Sequence, residues 1–148
     1  MDPIKLDIGC GDKCPDGFVG IDARELPGVE YVHDLEDFPW PVDDESCKEL
    51  RASHIVEHIS PQKQLAFMDE CWRVLVPGGT LYVSTPMGGS DRWHQDPTHC
   101  ASWNRQTPGY FDVSDTYRGV YEPKPWKVVE LSVDDVGDLH VLFAKVAA

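Results

Sequence analysis

The segment Ser53-His54-Ile55-Val56-Glu57-His58 sets two imidazoles and a carboxylate at positions i, i+3 and i+4. In a helical stretch these three side chains share one face, which suits a divalent cation. Histidine and glutamate at the start of a helix also serve as structural groups that hydrogen-bond the following loop, so the spacing leaves both roles open. A second polar cluster, Trp93-His94-Gln95-Asp96-Pro97-Thr98-His99-Cys100, lies further along the chain. Near the start, Leu6-Asp7-Ile8-Gly9-Cys10-Gly11-Asp12 ends an apolar run with two glycines one residue apart. Glycine there lets the backbone bend sharply and lets a ligand approach without a Cβ in the way, although a plain tight turn uses the same residues. Asp22 closes the next run, Phe18-Val19-Gly20-Ile21-Asp22, where a carboxylate can accept hydrogen bonds from both hydroxyls of a ribose. Asp34 follows the third run, and by itself reads as a cap or turn residue. Their order at three successive strand ends is what turns separate weak signals into a candidate ligand site.

The elements that must position these groups follow from punctuation by Gly, Pro and Asp. Short apolar runs at Ile4 to Ile8, Phe18 to Asp22, Val29 to Leu35 and Cys47 to Ser53 predict strands. Ser60-Pro61 reads as an N-cap with proline at the first helical position, and Leu65, Met68, Trp72 and Leu75 then recur on one helical face. Pro77-Gly78-Gly79 should stop that helix, and Thr80 to Ser84 predicts a further strand. The aromatic-rich stretch from Pro86 to about Phe111 is longer than a simple turn. Trp126 to Val133 and Leu139 to Val146, around Asp134 to Asp138, predict an antiparallel hairpin with a glycine in its loop. The expected fold is α/β, a Rossmann-like, mostly parallel sheet with an antiparallel C-terminal hairpin. Only Asp12 to Gly17 separate the glycines from the second strand, too few for a crossover helix, so the first crossover helix is expected to be missing or reduced to a turn.

With 148 residues, the chain is expected to form one domain, residues 1–148. Thirteen Lys and Arg against 26 Asp and Glu give a formal charge of −13. That sign repels phosphate backbones and anionic membrane surfaces, which disfavours nucleic acid and membrane partners. Five cysteines without a C-x-x-C pair, and an N-terminus without a signal-peptide pattern, predict a reduced, cytoplasmic protein.

From Lys5 to Pro86 the chain resembles the class I S-adenosylmethionine-dependent methyltransferases, especially small ones of methyltransferase type 11. The resemblance rests on Leu6-Asp7-Ile8-Gly9-Cys10-Gly11, Gly17-Phe18-Val19-Gly20-Ile21-Asp22, Asp34-Leu35-Glu36-Asp37-Phe38-Pro39-Trp40, the Ser53 to Ile59 segment and Val74-Leu75-Val76-Pro77-Gly78-Gly79-Thr80-Leu81. It implies S-adenosylmethionine as cofactor, with Asp7, Gly9, Cys10 and Gly11 around its methionine part, Asp22 on the ribose, Asp34 and Leu35 at the adenine, and Ser53 beside the sulfonium. The chain lacks the third glycine of G-x-G-x-x-G, which weighs against dinucleotides, whose pyrophosphate needs a helix N-terminus.

Similar small-RNA 3′-terminal 2′-O-methyltransferases bind a divalent metal through Glu-x-x-Glu-His and a later histidine. By position, His54, Glu57, His58 and His99 are the implied metal ligands, with Glu57, His58 and His99 as the catalytic set. Histidine in place of the first glutamate shifts the preference from magnesium toward zinc, iron or nickel. A metal that acidifies a bound hydroxyl, with Glu57 or a histidine as the other candidate base, points to O-methylation of a small-molecule or glycan-like acceptor. A cofactor cleft left uncovered by the missing helix makes a homodimer an expected arrangement. Two other readings stand beside this one: a non-catalytic Rossmann-like module that binds S-adenosylmethionine, and, more remotely, a zinc peptidase of the H-x-x-E-H pattern.

Overall fold

Alternation of apolar and polar residues along each short strand leaves one sheet face to be buried. The computed structural model describes residues 2–148. β1 (Ile4–Ile8), β2 (Phe18–Asp22), β3 (Val29–Val32), β4 (Cys47–Ser53), β5 (Leu75–Pro86), β6 (Trp126–Val133) and β7 (Asp138–Lys145) form a single sheet in the order β3-β2-β1-β4-β5-β7-β6. The pairings from β3 across to β5 are parallel, and β7 runs antiparallel to both β5 and β6. This is the expected Rossmann-like sheet with an antiparallel C-terminal hairpin. No helix occupies residues 9–17, so the first crossover is reduced to turns.

One face of the sheet carries Leu6, Ile8, Ile21, Leu50, Ala52, Leu81, Val83, Val141 and Phe143, all buried. Phe67, Met68, Cys71 and Val74 of α1 (Gln64–Val74), together with Trp103, Phe111 and Trp126, complete that core. The opposite face presents Lys5, Asp7, Glu49, Arg51, Tyr82 and His140, aligned by cross-strand register. Parallel sheets ordinarily have both faces covered. Here α1 is the only helix of more than five residues among those described, and on the second face Lys5, Glu49 and Arg51 stay half-exposed around a buried Asp7.

Several expected boundaries move. β3 ends at Val32, short of Leu35, and β7 spans Asp138–Lys145 instead of Leu139 to Val146. The helix buries Phe67, Met68, Cys71 and Val74, whereas Leu65 and Trp72 are only half-buried and Leu75 already belongs to β5. Pro61–Lys63 form a 3₁₀ turn ahead of α1, and Trp72 lies at the edge of the buried face, where its indole N–H donates to Pro125 O and Val146 O. Pro77-Gly78-Gly79 lie within β5, where the register slips between Cys47↔Leu75 and Glu49↔Thr80 and Gly78 takes φ +78°. Val56–His58 form one 3₁₀ turn after a left-handed His54 (φ 57°), so His54, Glu57 and His58 do not lie on an α-helix. The metal-binding helix of the peptidase pattern is therefore not formed.

Candidate active site

The glycine turn folds back over the end of β2. Gly9 N–H donates to Ile21 O at 2.7 Å, and Gly11 N–H donates to Asp22 Oδ2 at 2.9 Å. Gly9 has φ +70°, and a Cβ there would lie 2.0 Å from Ile55 Cδ1 and 3.6 Å from Leu35 Cδ1. Glycine is thus required both by the backbone conformation and by Ile55, while Leu35 lies at ordinary contact distance. Ile55 was missed in the sequence because an isoleucine between two histidines carries no chemical signal.

Asp22 is buried, and its two oxygens are occupied by Gly11 N–H, by Arg24 N–H at 2.9 Å and by the Arg24 guanidinium at 3.1 Å. Burial pushes its carboxyl up, but the hydrogen bonds from Arg24 and Gly11 outweigh this and hold it below the ordinary aspartate range. Arg24 is largely exposed, so its side chain can swing off the carboxylate when another donor arrives. Asp34 is exposed and accepts Glu36 N–H at 2.9 Å, which is the turn role its position suggested. Leu35 is half-buried beside Gly9, and the Ser53 hydroxyl accepts from Ser84 Oγ at 3.1 Å. Cys10 Sγ lies on the uncovered face, where a Cβ on Gly20 would meet it at 2.4 Å.

Beyond the end of β4, Glu57 is completely buried, and neither carboxylate oxygen has a hydrogen-bond partner. Its carbonyl receives Cys100 N–H at 2.9 Å and Ala101 N–H at 3.2 Å, which docks the long β5–β6 connection against it. That docking brings His99 in: Glu57, His58 and His99 offer donor atoms that all lie within 4.8 Å of one another. His99 Nδ1 sits 2.6 Å from Trp93 O. A carbonyl only accepts, so Nδ1 carries the proton. Nε2 then faces Asp96 Oδ2 at 3.4 Å and Glu57 Oε2 at 4.0 Å. A lone pair aimed at two carboxylates is unfavourable unless Nε2 is also protonated or a cation lies between them. Thr98 Oγ1 donates to Asp96 Oδ1 at 2.7 Å and is 3.3 Å from His58 Nδ1, so it accepts there and leaves His58 Nε2 as the free base. Backing of this kind is what orients imidazoles toward a metal.

His54 stands on the other side of Glu57. Its Nδ1 is 3.4 Å from Glu57 Oε2 and its Nε2 is 3.3 Å from Asp138 Oδ2, itself paired with Arg92 at 3.1 Å. Contact with Glu57 raises its pKa, burial opposes this, and Asp138 adds to the rise. His54 thus touches Glu57 but falls outside the tight group of three, and His94 is exposed and apart from it. Asp96 and Asp138, which the sequence reading passed over, complete the polar surround. Asp96 had one usable signal, its position three residues before His99.

Residues 18–83 match the family pattern described as "Methyltransferase domain". A protein of Mycolicibacterium smegmatis, described as "Probable S-adenosylmethionine-dependent methyltransferase", is 31% identical over 97 residues, covering 55% of this chain and 37% of that protein. Over its first half the chain is thus similar to S-adenosylmethionine-dependent methyltransferases. The fold agrees with that likeness. A SAM-dependent methyltransferase from Archaeoglobus fulgidus superposes with a TM-score of 0.70 at 16% identity, over 97% of this chain and 86% of that one. A Burkholderia thailandensis 1,6-didemethyltoxoflavin-N1-methyltransferase, solved with its substrate and S-adenosylhomocysteine, gives 0.69 at 12% identity, over 99% and 72%. A Haloferax volcanii methyltransferase in complex with the Trm112 activator gives 0.69 at 13%, over 99% and 84%. The chain spans little more than a third of the length of the curated relative it matches. No helix among the described residues is long and apolar enough to cross a membrane.

Proposed function

We propose that this domain transfers a methyl group from S-adenosylmethionine to a hydroxyl of a small-molecule or glycan-like acceptor, with a divalent cation held by Glu57, His58 and His99. The observation that carries the reading is Glu57: a fully buried carboxylate without a hydrogen bond, flanked by two imidazoles, beyond the end of the strand next to the glycine turn. An isolated buried carboxylate is costly, and buried charges are ordinarily paired or bound to metals. Metal–ligand bonds of about 2.0–2.2 Å put two ligands on one ion no more than about 4.4 Å apart, so the group needs to close by only a few tenths of an ångström. A nitrogen-rich set favours zinc, iron or nickel over magnesium. Such an ion supplies Lewis acidity that lowers the pKa of a bound hydroxyl.

The residues of the chain do the rest. Asp22 presents acceptors for the ribose once Arg24 moves off, Gly9 and Gly11 let the cofactor lie against the backbone, and Leu35 and Ile55 wall the space above Gly9. Methyl transfer from a sulfonium has a good leaving group, so holding donor and acceptor in line supplies the largest share, worth about 7–11 kcal/mol in well-oriented systems. Without a cation there, Glu57 or His99 would be the alternative base for the hydroxyl proton. Cytoplasmic location and a homodimeric arrangement belong to the same reading. A second reading, a cofactor-binding module without turnover, is favoured by the missing first crossover helix and by the little room that 148 residues leave for an acceptor pocket.

Calorimetry with S-adenosylhomocysteine tests the cofactor: binding in the micromolar range that Asp22→Ala abolishes is expected, and no binding at millimolar concentration refutes it. Methyl transfer to a panel of hydroxylated acceptors separates the enzyme from the binding module. Elemental analysis of untagged protein against His58→Ala and His99→Ala tests the cation, and equal metal content in all three removes the site.

A further inference from the structure

We propose that Tyr82, His140 and Asp134 form a nucleophilic relay on the open face of the sheet, in which Tyr82 takes up an acyl group from an activated ester. The proposal does not depend on the S-adenosylmethionine reading, because it uses residues of β5, β7 and the hairpin loop that lie outside the candidate site. Tyr82 Oη is 2.6 Å from His140 Nδ1, and His140 Nε2 is 2.7 Å from Asp134 Oδ2. A carboxylate oxygen only accepts, so Nε2 carries a proton. In the neutral ring Nδ1 then keeps its lone pair, and the Tyr82 hydroxyl donates to it. The order is that of a hydroxyl nucleophile, a base that receives its proton, and a carboxylate that orients the base.

Local structure fixes each member. Asp134 opens the β6–β7 loop, where its Oδ1 accepts Val136 N–H and Asp138 N–H, both at 3.0 Å, and so turns Oδ2 toward the ring. His140 stands opposite Ser84, two residues beyond Tyr82 on the neighbouring strand, a diagonal that a long aromatic side chain spans. The His140 side chain is 31% exposed and Tyr82 is half-buried on the face without its crossover helix, so a small ester reaches the hydroxyl from solvent. In register, Tyr82 has Arg51 beside it on β4 and Leu142 on β7. The phenolate that develops as the proton leaves therefore has a cation on one side, shared with Asp7 at 3.3 Å, and an uncharged neighbour on the other. In the step, Tyr82 Oη attacks the acyl carbon and its proton passes to His140 Nδ1. The bond from that carbon to the leaving oxygen breaks, and its electron pair departs with the alkoxide or phenolate, which the imidazolium or water protonates. The product is an O-acyltyrosine. A hydrogen bond that merely pins β5 to β7 is the competing explanation, and it shields the phenol instead of activating it.

The experiment treats the full chain with 4-nitrophenyl acetate at neutral pH and follows the acetyl group on each tyrosine by peptide mass spectrometry. Tyr82 is expected to react at least about tenfold faster than Tyr117 and Tyr121, which are 44% and 60% exposed, since a positioned base is worth about 10²–10⁴-fold. His140→Gln should slow Tyr82 at least about tenfold and leave Tyr117 and Tyr121 unchanged, whereas loss of a merely shielding bond would leave Tyr82 as reactive or more so. Asp134 acts through His140 as a positioning residue. Asp134→Asn should slow Tyr82 less than His140→Gln does, and the ¹⁵N shifts of the His140 ring should lose the Nε2–H tautomer that wild type shows. A Tyr82 rate at or below that of Tyr121 overturns the relay, as does a Tyr82 rate that His140→Gln leaves unchanged or raises. The comparison of tyrosines within the unaltered protein decides the matter even where His140→Gln fails to fold.

Discussion

Replacing Glu57 by glutamine should change stability in opposite directions with and without metal. In metal-free protein the wild-type carboxylate is fully buried without a hydrogen bond, and its nearest imidazole contact is His54 at 3.4 Å. Removing its charge at nearly constant volume relieves a burial cost of about 1–3 kcal/mol, so Glu57→Gln in a chelator is expected to melt at or above wild type. With metal the order reverses. A ligand present at a hundred times its dissociation constant adds about 2.7 kcal/mol to a native state that alone binds it. For a domain of this size each kcal/mol moves Tm by about 2–4 °C, so wild type should gain about 5–11 °C in zinc or nickel. Glu57→Gln keeps two imidazoles but loses the anionic ligand, and should gain less than half of that. Differential scanning calorimetry in chelator and in a series of zinc, nickel and magnesium concentrations measures each quantity. An equal metal-induced gain in both proteins, or a metal-free variant several degrees less stable than wild type, refutes the assignment and makes Glu57 a structural group.

Arg24→Ala should tighten S-adenosylhomocysteine about two- to tenfold, because it removes a competitor for Asp22 while keeping both backbone donors; weaker binding by calorimetry would mean that Arg24 itself contacts the cofactor. Gly9→Ala should cost about 1–2 kcal/mol for the left-handed backbone alone, with a further loss from displacing Ile55, read from the urea midpoint; an unchanged midpoint contradicts the positive φ. Asp134, bonded to His140 at 2.7 Å, has its carboxyl lowered to about 2, chiefly by that bond. A carboxyl lowered in the folded state stabilises above the unfolded value of about 3.9 and loses that contribution as pH falls toward the folded value. Asp134→Asn should therefore flatten the decline in Tm between about pH 4 and pH 2 that wild type shows, and parallel curves for the two proteins would discount the pair.

Strands were the most legible part of the fold. β1, β2, β4 and β6 stand where their apolar runs end in glycine, aspartate or serine, because those residues stop a strand by local chemistry. The helix face was harder: Phe67, Cys71 and Val74 form an apolar stripe next to Leu65 and Trp72, and tertiary packing decides which one is buried. At the candidate site, Gly9, Gly11 and Asp22 were readable because each serves through its own backbone or carboxylate at a strand end. The relation between Glu57 and His99 was suggested by a family likeness alone, since it depends on two amide bonds to the Glu57 carbonyl that sequence spacing does not encode. Arg51, Asp96 and Asp138 escaped notice for a similar reason: their partners are set by register across strands or by the docked loop.

The loss of the first crossover helix also reshapes how the chain can reach its native state. Ordinary parallel sheets fold slowly because their pairings join distant parts of the chain. Here the turn that replaces the helix lets Gly11 meet Asp22 across only 11 residues, whereas Asp7 meets Arg51 across 44 and Tyr82 meets His140 across 58. Closing a short loop costs less entropy than closing a long one. Loop-closure entropy therefore favours pairing the first three strands, with the candidate ribose acceptor, over the distant pairings that bring Arg51 and His99 to it.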